Sequence, residues 1–168
     1  TINTSDTVTE ITDGDKPTPA GQPVSLDGYL FIVKSGTDEI YNSNVDDPTA
    51  WTASDFLTAE MYPDNLVTLA RQVNYVVAFG SYSTEFFYDN ENASGSPLKR
   101  NESVALKVGA VSRDAVAQTD RRIVFCGQSN IGDPSIWIFD GLTPTKVSTE
   151  AVERLLYAEG STLSSSKA

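Results

Sequence analysis

The chain has 168 residues, a net charge of −11, 39% hydrophobic residues and no histidine. With no His and only one thiol, Cys126, the composition excludes Ser-His-Asp and Cys-His catalysis, His general bases, soft-metal sites and any internal disulfide. The charge is uneven: residues 1–64 hold twelve Asp or Glu against Lys16 and Lys34, a net −10, and the remaining 104 residues net −1, a field that repels phosphates but tolerates DNA passing without adhering.

In chain order, residues 1–23 are rich in Thr, Asp, Gly and Pro and are expected to form an extended strap or linker. Val8 and Ile11 fit an edge strand, and Lys16-Pro-Thr-Pro-Ala-Gly-Gln-Pro23 reads as a loop. A chain that opens at Thr1 without Met is expected to be an excerpt or a processed product. Apolar runs reach only four or five residues, far from the twenty or so that cross a bilayer, and no basic start precedes an apolar stretch.

Strands are expected from Asp27-Gly28 onward. Turn residues bracket Tyr29-Leu-Phe-Ile-Val33, and Glu39-Ile-Tyr41 follows Ser35-Gly36-Thr37-Asp38. Asn42–Pro48 is a polar connection. The segment from Trp51 to about Glu60 fits either one helical turn capped by Ser54 or a bulged strand. After the turn Met61-Tyr-Pro-Asp64, a strand over Asn65–Ala70 leads to a second hairpin, Tyr75-Val-Val-Ala-Phe79 with Glu85-Phe-Phe-Tyr88. Asp89–Pro97 is a nine-residue polar loop. Short strands at Val104–Val108 and Ala110–Ser112 precede a third hairpin, Ile123-Val-Phe-Cys126 with Ile136-Trp-Ile-Phe139, and Thr145–Ser148 adds a strand. A helix closes the pattern: Ser148 or Thr149 caps it, Glu150 sits in its first turn, Val152, Leu155 and Leu156 share a face, and Gly160 suits its stop. Residues 161–168 read as a flexible tail or connection.

The three hairpins begin at Tyr29, Tyr75 and Ile123, at intervals of 46 and 48 residues. A strand-bearing repeat of that length is the sign of β-propeller blades, which bury their faces only by stacking on neighbours. The expected fold is therefore mainly β: a partial, propeller-like repeat of about three antiparallel units over residues 24–160, ending in one short helix.

The carboxylate pairs Asp13-Gly-Asp15, Asp38-Glu39 and Asp46-Asp47 lack the spacing of a Ca²⁺ loop and read as solvated turns. No metal, cofactor or catalytic residue is expected. Lys99–Arg122 holds six basic residues against three acidic ones. Lys99, Arg100, Arg113, Arg121 and Arg122 are the candidates for contacts with an acidic neighbouring subunit. Asp13, Asp15, Asp38, Glu39, Asp46 and Asp47 are the candidate acidic lining of a channel. The strand aromatics Tyr75, Phe79, Tyr82, Phe86, Phe87, Tyr88, Trp137 and Phe139 are expected mainly in the core, and Cys126 is expected to be a small buried hydrophobe.

Several motifs in order carry a resemblance: Asp27-Gly-Tyr29; Ala59-Glu60 before Pro63-Asp64; Phe79-Gly80 leading to Thr84-Glu85-Phe86; and Pro97 before Arg100. Gly109 with Val111-Ser112, Ile136-Trp137 before Asp140-Gly141, and Val147-Ser-Thr149 before Ala151-Val-Glu153 continue it. Over roughly residues 26–157 the chain resembles the packaged-DNA stabilisation and tail-nozzle proteins of short-tailed bacteriophages, departing from them at Leu98, where an aromatic is expected. The resemblance implies a propeller-containing homo-hexameric ring in the virion tail, made in the host bacterial cytoplasm. Such a ring closes or extends the DNA exit channel and retains packaged DNA, touching portal or adaptor and tail needle or fibre proteins. It implies no catalytic residues, no membrane and no specific DNA contact. Two other readings start from the residues: a carbohydrate-binding host-recognition module using Tyr82, Tyr88, Trp137 and the loop 89–97, and a carboxylate glycosidase.

Overall fold

A computed structural model describes residues 8–119 and 121–159. The first sheet is β1 (Pro19–Leu26), β2 (Tyr29–Lys34), β3 (Glu39–Asn44) and β4 (Asp47–Thr58), paired in that order. The second is β5 (Leu66–Gln72), β6 (Tyr75–Gly80), β7 (Thr84–Asp89) and β8 (Leu98–Leu106). In the third, β9 (Gly109–Ala110) and β10 (Val116–Gln118) both pair with β11 (Arg122–Gln128), followed by β12 (Ser135–Asp140) and β13 (Thr143–Lys146). Every pairing is antiparallel and, β9 with β11 apart, joins consecutive strands, so each sheet holds a four-stranded meander of the kind that forms a propeller blade. The helix α1 (Glu150–Glu159) follows β13.

The blades pack face to face through alternating side chains. Phe31 and Val33 of β2 and Ile40 of β3 meet Val76 and Ala78 of β6 and Phe87 of β7 in one core. The intervening residues Val77, Phe79 and Phe86 turn to the other side, where they meet Ile123, Phe125 and Phe139. There Phe79 lies edge-on to Phe125 at 4.9 Å, Phe86 edge-on to Phe139 at 5.1 Å, and Phe125 stacks on Phe139 at 5.5 Å. The inner strands of the middle blade are thus buried on both faces, which is why β6 reads as an unbroken apolar run. The first strands come closest: β1 lies against β5, and β5 against β10 and β11. At Gly21, in a bulge of β1, a Cβ would stand 2.5 Å from the Thr68 Cα, so only glycine allows this approach, and its φ of +68° also favours glycine. The architecture is a partial β-propeller of three blades with one short helix.

The strands settle several expectations. The segment from Trp51 is a bulged strand as far as Thr58, not a helical turn: β4 runs twelve residues, with register shifts against β3. The polar connection expected over Asn42–Pro48 shrinks to a turn at Val45-Asp46, because β3 continues to Asn44. Lys16–Pro23 is not all loop, since Pro19–Pro23 belong to β1; as an edge strand, β1 tolerates prolines that lack an N–H. A three-residue strand over Val116–Gln118 was not expected at all.

The repeat also has a different phase. Each blade's second strand begins where its first hairpin closes, at Tyr29, Tyr75 and Arg122, giving intervals of 46 and 47 residues. Alignment on Ile123 is one residue off, and in a strand one residue exchanges the two faces. Cys126 accordingly lies on the outer face of the third blade and is half-buried rather than buried. The helix forms as expected, with the Glu153 N–H bonded to the Thr149 carbonyl, while Ser148 Oγ donates to Glu153 Oε1 at 2.7 Å. Its apolar face finds no core: none of its residues is buried, and Leu155 and Tyr157 are exposed. Gly160 and the tail 161–168 lie outside the described residues.

Candidate functional site

Several of the residues that carry the family resemblance, Asp64, Gly80, Glu85, Arg100 and Gly109 among them, lie at the joints between blades. Asp64, in the connection from β4 to β5, accepts the Tyr82 N–H at 2.6 Å and the Ser83 hydroxyl at 2.6 Å. A Cβ on Gly80 would fall 2.3 Å from Asp64 Oδ2, so the carboxylate seats itself in the space that the glycine leaves. Gly109 fills the same role between the second and third blades: its Cβ would stand 2.1 Å from the Gly80 carbonyl oxygen. Thr84 Oγ1 donates to the Val108 carbonyl at 2.7 Å beside it.

Glu85 is the one fully buried carboxylate among the described residues, on the face of β7 that looks toward the first blade. Its Oε2 lies 2.7 Å from Arg100 Nε, and its Oε1 accepts the Met61 N–H at 3.2 Å. Arg100 also donates to the Thr58 carbonyl at 3.0 Å and lies over the Phe87 ring at 5.8 Å. The pair therefore clamps the segment that leaves the first blade. Burial pushes the Glu85 carboxyl up from its ordinary range, with Arg100 pulling against it.

The five basic candidates do not gather. Arg100 is bound to Glu85, Arg122 pairs across the hairpin with Asp140 at 2.9 Å, and Arg113 lies 3.6 Å from Asp114. Lys99 and Arg121 are exposed and form no ion pair among the described residues, although the Arg121 carbonyl accepts a hydrogen bond from Gln72 Nε2. The six acidic candidates occupy three turns of the first blade. Asp13 closes its own turn by accepting the Asp15 N–H at 2.8 Å, and it also accepts the Trp51 N–H at 3.1 Å. Asp38 and Glu39 sit at one end of β3, with Glu39 paired to Lys34 at 2.6 Å. Asp46 and Asp47 sit at the other end, a six-residue strand away, about 20 Å. Asp47 accepts both the N–H and the hydroxyl of Thr49, which holds its carboxyl below the ordinary range.

The aromatics named for a sugar platform do not converge. Tyr82 is exposed, Tyr88 lies edge-on to Tyr75 at 6.4 Å, and Trp137 packs against the core between the second and third blades. The other aromatics expected in the core are there: Phe79, Phe86, Phe87 and Phe139 are fully buried, with Tyr75 packed beside them. No group of three or more acidic or Cys side chains placed to hold a metal occurs among the described residues, and no helix there is long and apolar enough to cross a membrane.

The model of the family described as bacteriophage P22 Gp10, beta-propeller, matches residues 2–166. The chain belongs to this family. It is a bacteriophage structural protein of the packaged-DNA stabilisation and tail-nozzle type, and its three blades are part of that family's propeller. No curated protein sequence matches it. Sequence reasoning found the motif residues but not their purpose. Asp64, Gly80 and Gly109 contact one another across separations that only the fold reveals.

Proposed function

We infer that this chain is a wall element of a ring at the phage head–tail junction, where it closes or extends the DNA exit channel and retains packaged DNA. The observation that carries this reading is the family match along residues 2–166, on a fold in which several signature residues tie the blades together. A wall that bears pressure from packaged DNA needs stiff joints, and the buried Glu85–Arg100 clamp and glycine-tight contacts supply them. The proposed assembly is a homo-hexamer in the virion tail, in contact with portal or adaptor and with tail needle or fibre proteins.

Within it, the first blade is proposed to face the channel. Asp13, Asp15, Asp38, Glu39, Asp46 and Asp47 then form a belt about one strand tall that keeps passing DNA from adhering. Lys99 and Arg121, exposed and without an ion pair among the described residues, are the best placed of the basic side chains for a neighbouring subunit. The reading is tested by assembling particles without this chain and measuring DNase protection of the genome. Filled heads that lose their DNA are expected; particles that retain it and infect normally would refute the role.

A further inference from the structure

The chain is strongly acidic, yet one of its pockets presents hydrogen-bond donors and, among the described residues, no carboxylate. Lined by Arg71, Val73, Asn74, Gln118 and Thr119, it encloses about 430 Å³ between the β5–β6 turn and the end of β10. It lies where the first strands of the three blades come together, because Arg71 of β5 reaches both neighbours. Its Nη1 donates to the Ser25 carbonyl of β1 at 3.0 Å, and its N–H donates to Gln118 Oε1 of β10 at 2.8 Å.

Of the six arginines, Arg100, Arg113, Arg122 and Arg154 lie against carboxylates. Arg71 has no such partner among the described residues, and main-chain carbonyls hold it instead: besides the Ser25 contact, its Nε donates to the Val73 carbonyl at 2.9 Å. Two fixed contacts leave Nη2 without a protein acceptor, on a guanidinium that is held in place. Gln118 is arranged alike, since its Oε1 is taken by the Arg71 N–H and what it has left to offer is the Nε2 donor. Val73 supplies an apolar wall. It is 52% exposed and β-branched, yet held at φ 54° in a turn where Gly or Asn sits without strain. An exposed apolar side chain kept at a strained position does nothing for the fold and suits a contact.

We propose that this pocket binds an acidic side chain of a partner protein, with the carboxylate between Arg71 and Gln118 and an adjacent aliphatic residue on Val73. The planar fork of an arginine matches a carboxylate, and a guanidinium already fixed by two carbonyls loses little freedom when it binds one. A nucleic-acid backbone fits the pocket worse. A net charge of −11 repels a run of phosphates, and the pocket supplies one arginine rather than a row of them. The site is separate from the surface contacts proposed for Lys99 and Arg121, and it does not rest on the virion reading.

Heteronuclear NMR titration of the purified chain at low salt tests it, with a capped leucine–glutamate–leucine tripeptide and its glutamine counterpart as probes. The glutamate peptide should bind at the millimolar level and shift the side-chain resonances of Arg71 and Gln118, and the glutamine peptide should bind at least tenfold more weakly. Gln118→Glu keeps an oxygen for the Arg71 N–H but places a carboxylate in the pocket, so it should abolish binding while the chain stays folded. Val73→Gly should weaken binding severalfold although it relieves the strained turn, a combination that a purely structural role for Val73 does not produce. No shift at the pocket with the glutamate peptide, equal binding of the two peptides, or binding that survives Gln118→Glu would overturn the proposal. So would a short DNA duplex that binds there more tightly than the peptide.

Discussion

Replacing Arg100 with Met removes the guanidinium from a carboxylate that has almost no access to water: the Glu85 side chain is 2% exposed and lies 2.7 Å from Arg100 Nε. An ion pair broken on one side in such a place costs about 3–5 kcal/mol, because the remaining charge is buried without compensation. Met keeps much of the contact with Phe87, so the loss reports mainly on charge. Burial already holds the Glu85 carboxyl above its ordinary range, and without Arg100 it moves higher. A carboxyl whose pKa is raised in the fold favours folding when protonated. The deficit is therefore smallest below the ordinary carboxylate range and grows as pH rises through the folded pKa, by up to about 1.4 kcal/mol per pH unit. Urea denaturation followed by fluorescence of Trp51 and Trp137, at several pH values between about 5 and 8, measures it. The double variant Glu85→Gln/Arg100→Met keeps an acceptor for the Met61 N–H, removes the charge, and should recover more than half of the loss. A loss of under about 1 kcal/mol, or a deficit that is flat with pH, would refute the clamp.

Three further outcomes follow from the same geometry. Gly109→Ala should cost about 3 kcal/mol or more in urea denaturation or prevent folding, since its Cβ would stand 2.1 Å from a backbone oxygen with no flexible neighbour to yield. Val73→Gly should stabilise by roughly 0.5–1 kcal/mol in thermal melts, because a β-branched residue is held at φ 54° in the two-residue turn between β5 and β6. Phe79→Ala should cost about 3–5 kcal/mol and raise the unfolding rate, as it opens the ring cluster with Phe125 and Phe139.

Much of the fold was legible because strand alternation and turn residues are local signals. Tyr29–Val33, Tyr75–Phe79 and the Asp27-Gly28 turn announce hairpins without any tertiary help, and their spacing announces repetition. The phase of the third repeat was not legible, because Arg122, which opens its strand, is polar where Tyr29 and Tyr75 are aromatic. Ile123 took its place in the alignment, one residue late, and the small buried hydrophobe expected at Cys126 rested on the habit of free cysteines and not on its face. Lys16–Pro23 hid half a strand behind prolines that an edge position tolerates. The helix showed an apolar stripe, but a stripe does not say that anything packs on it. The joints were the least legible, since Asp64 with Tyr82, or Glu85 with Arg100, are pairings that tertiary structure creates between ordinary polar residues.

Imaging of the virion by cryo-electron microscopy tests whether this chain forms the wall of the DNA exit channel. Ring density at the head–tail junction into which the three blades fit is expected, with the turns that carry Asp38, Glu39, Asp46 and Asp47 toward the lumen. Density that places the chain elsewhere in the particle, or that turns those carboxylates to the outside of the ring, would contradict it.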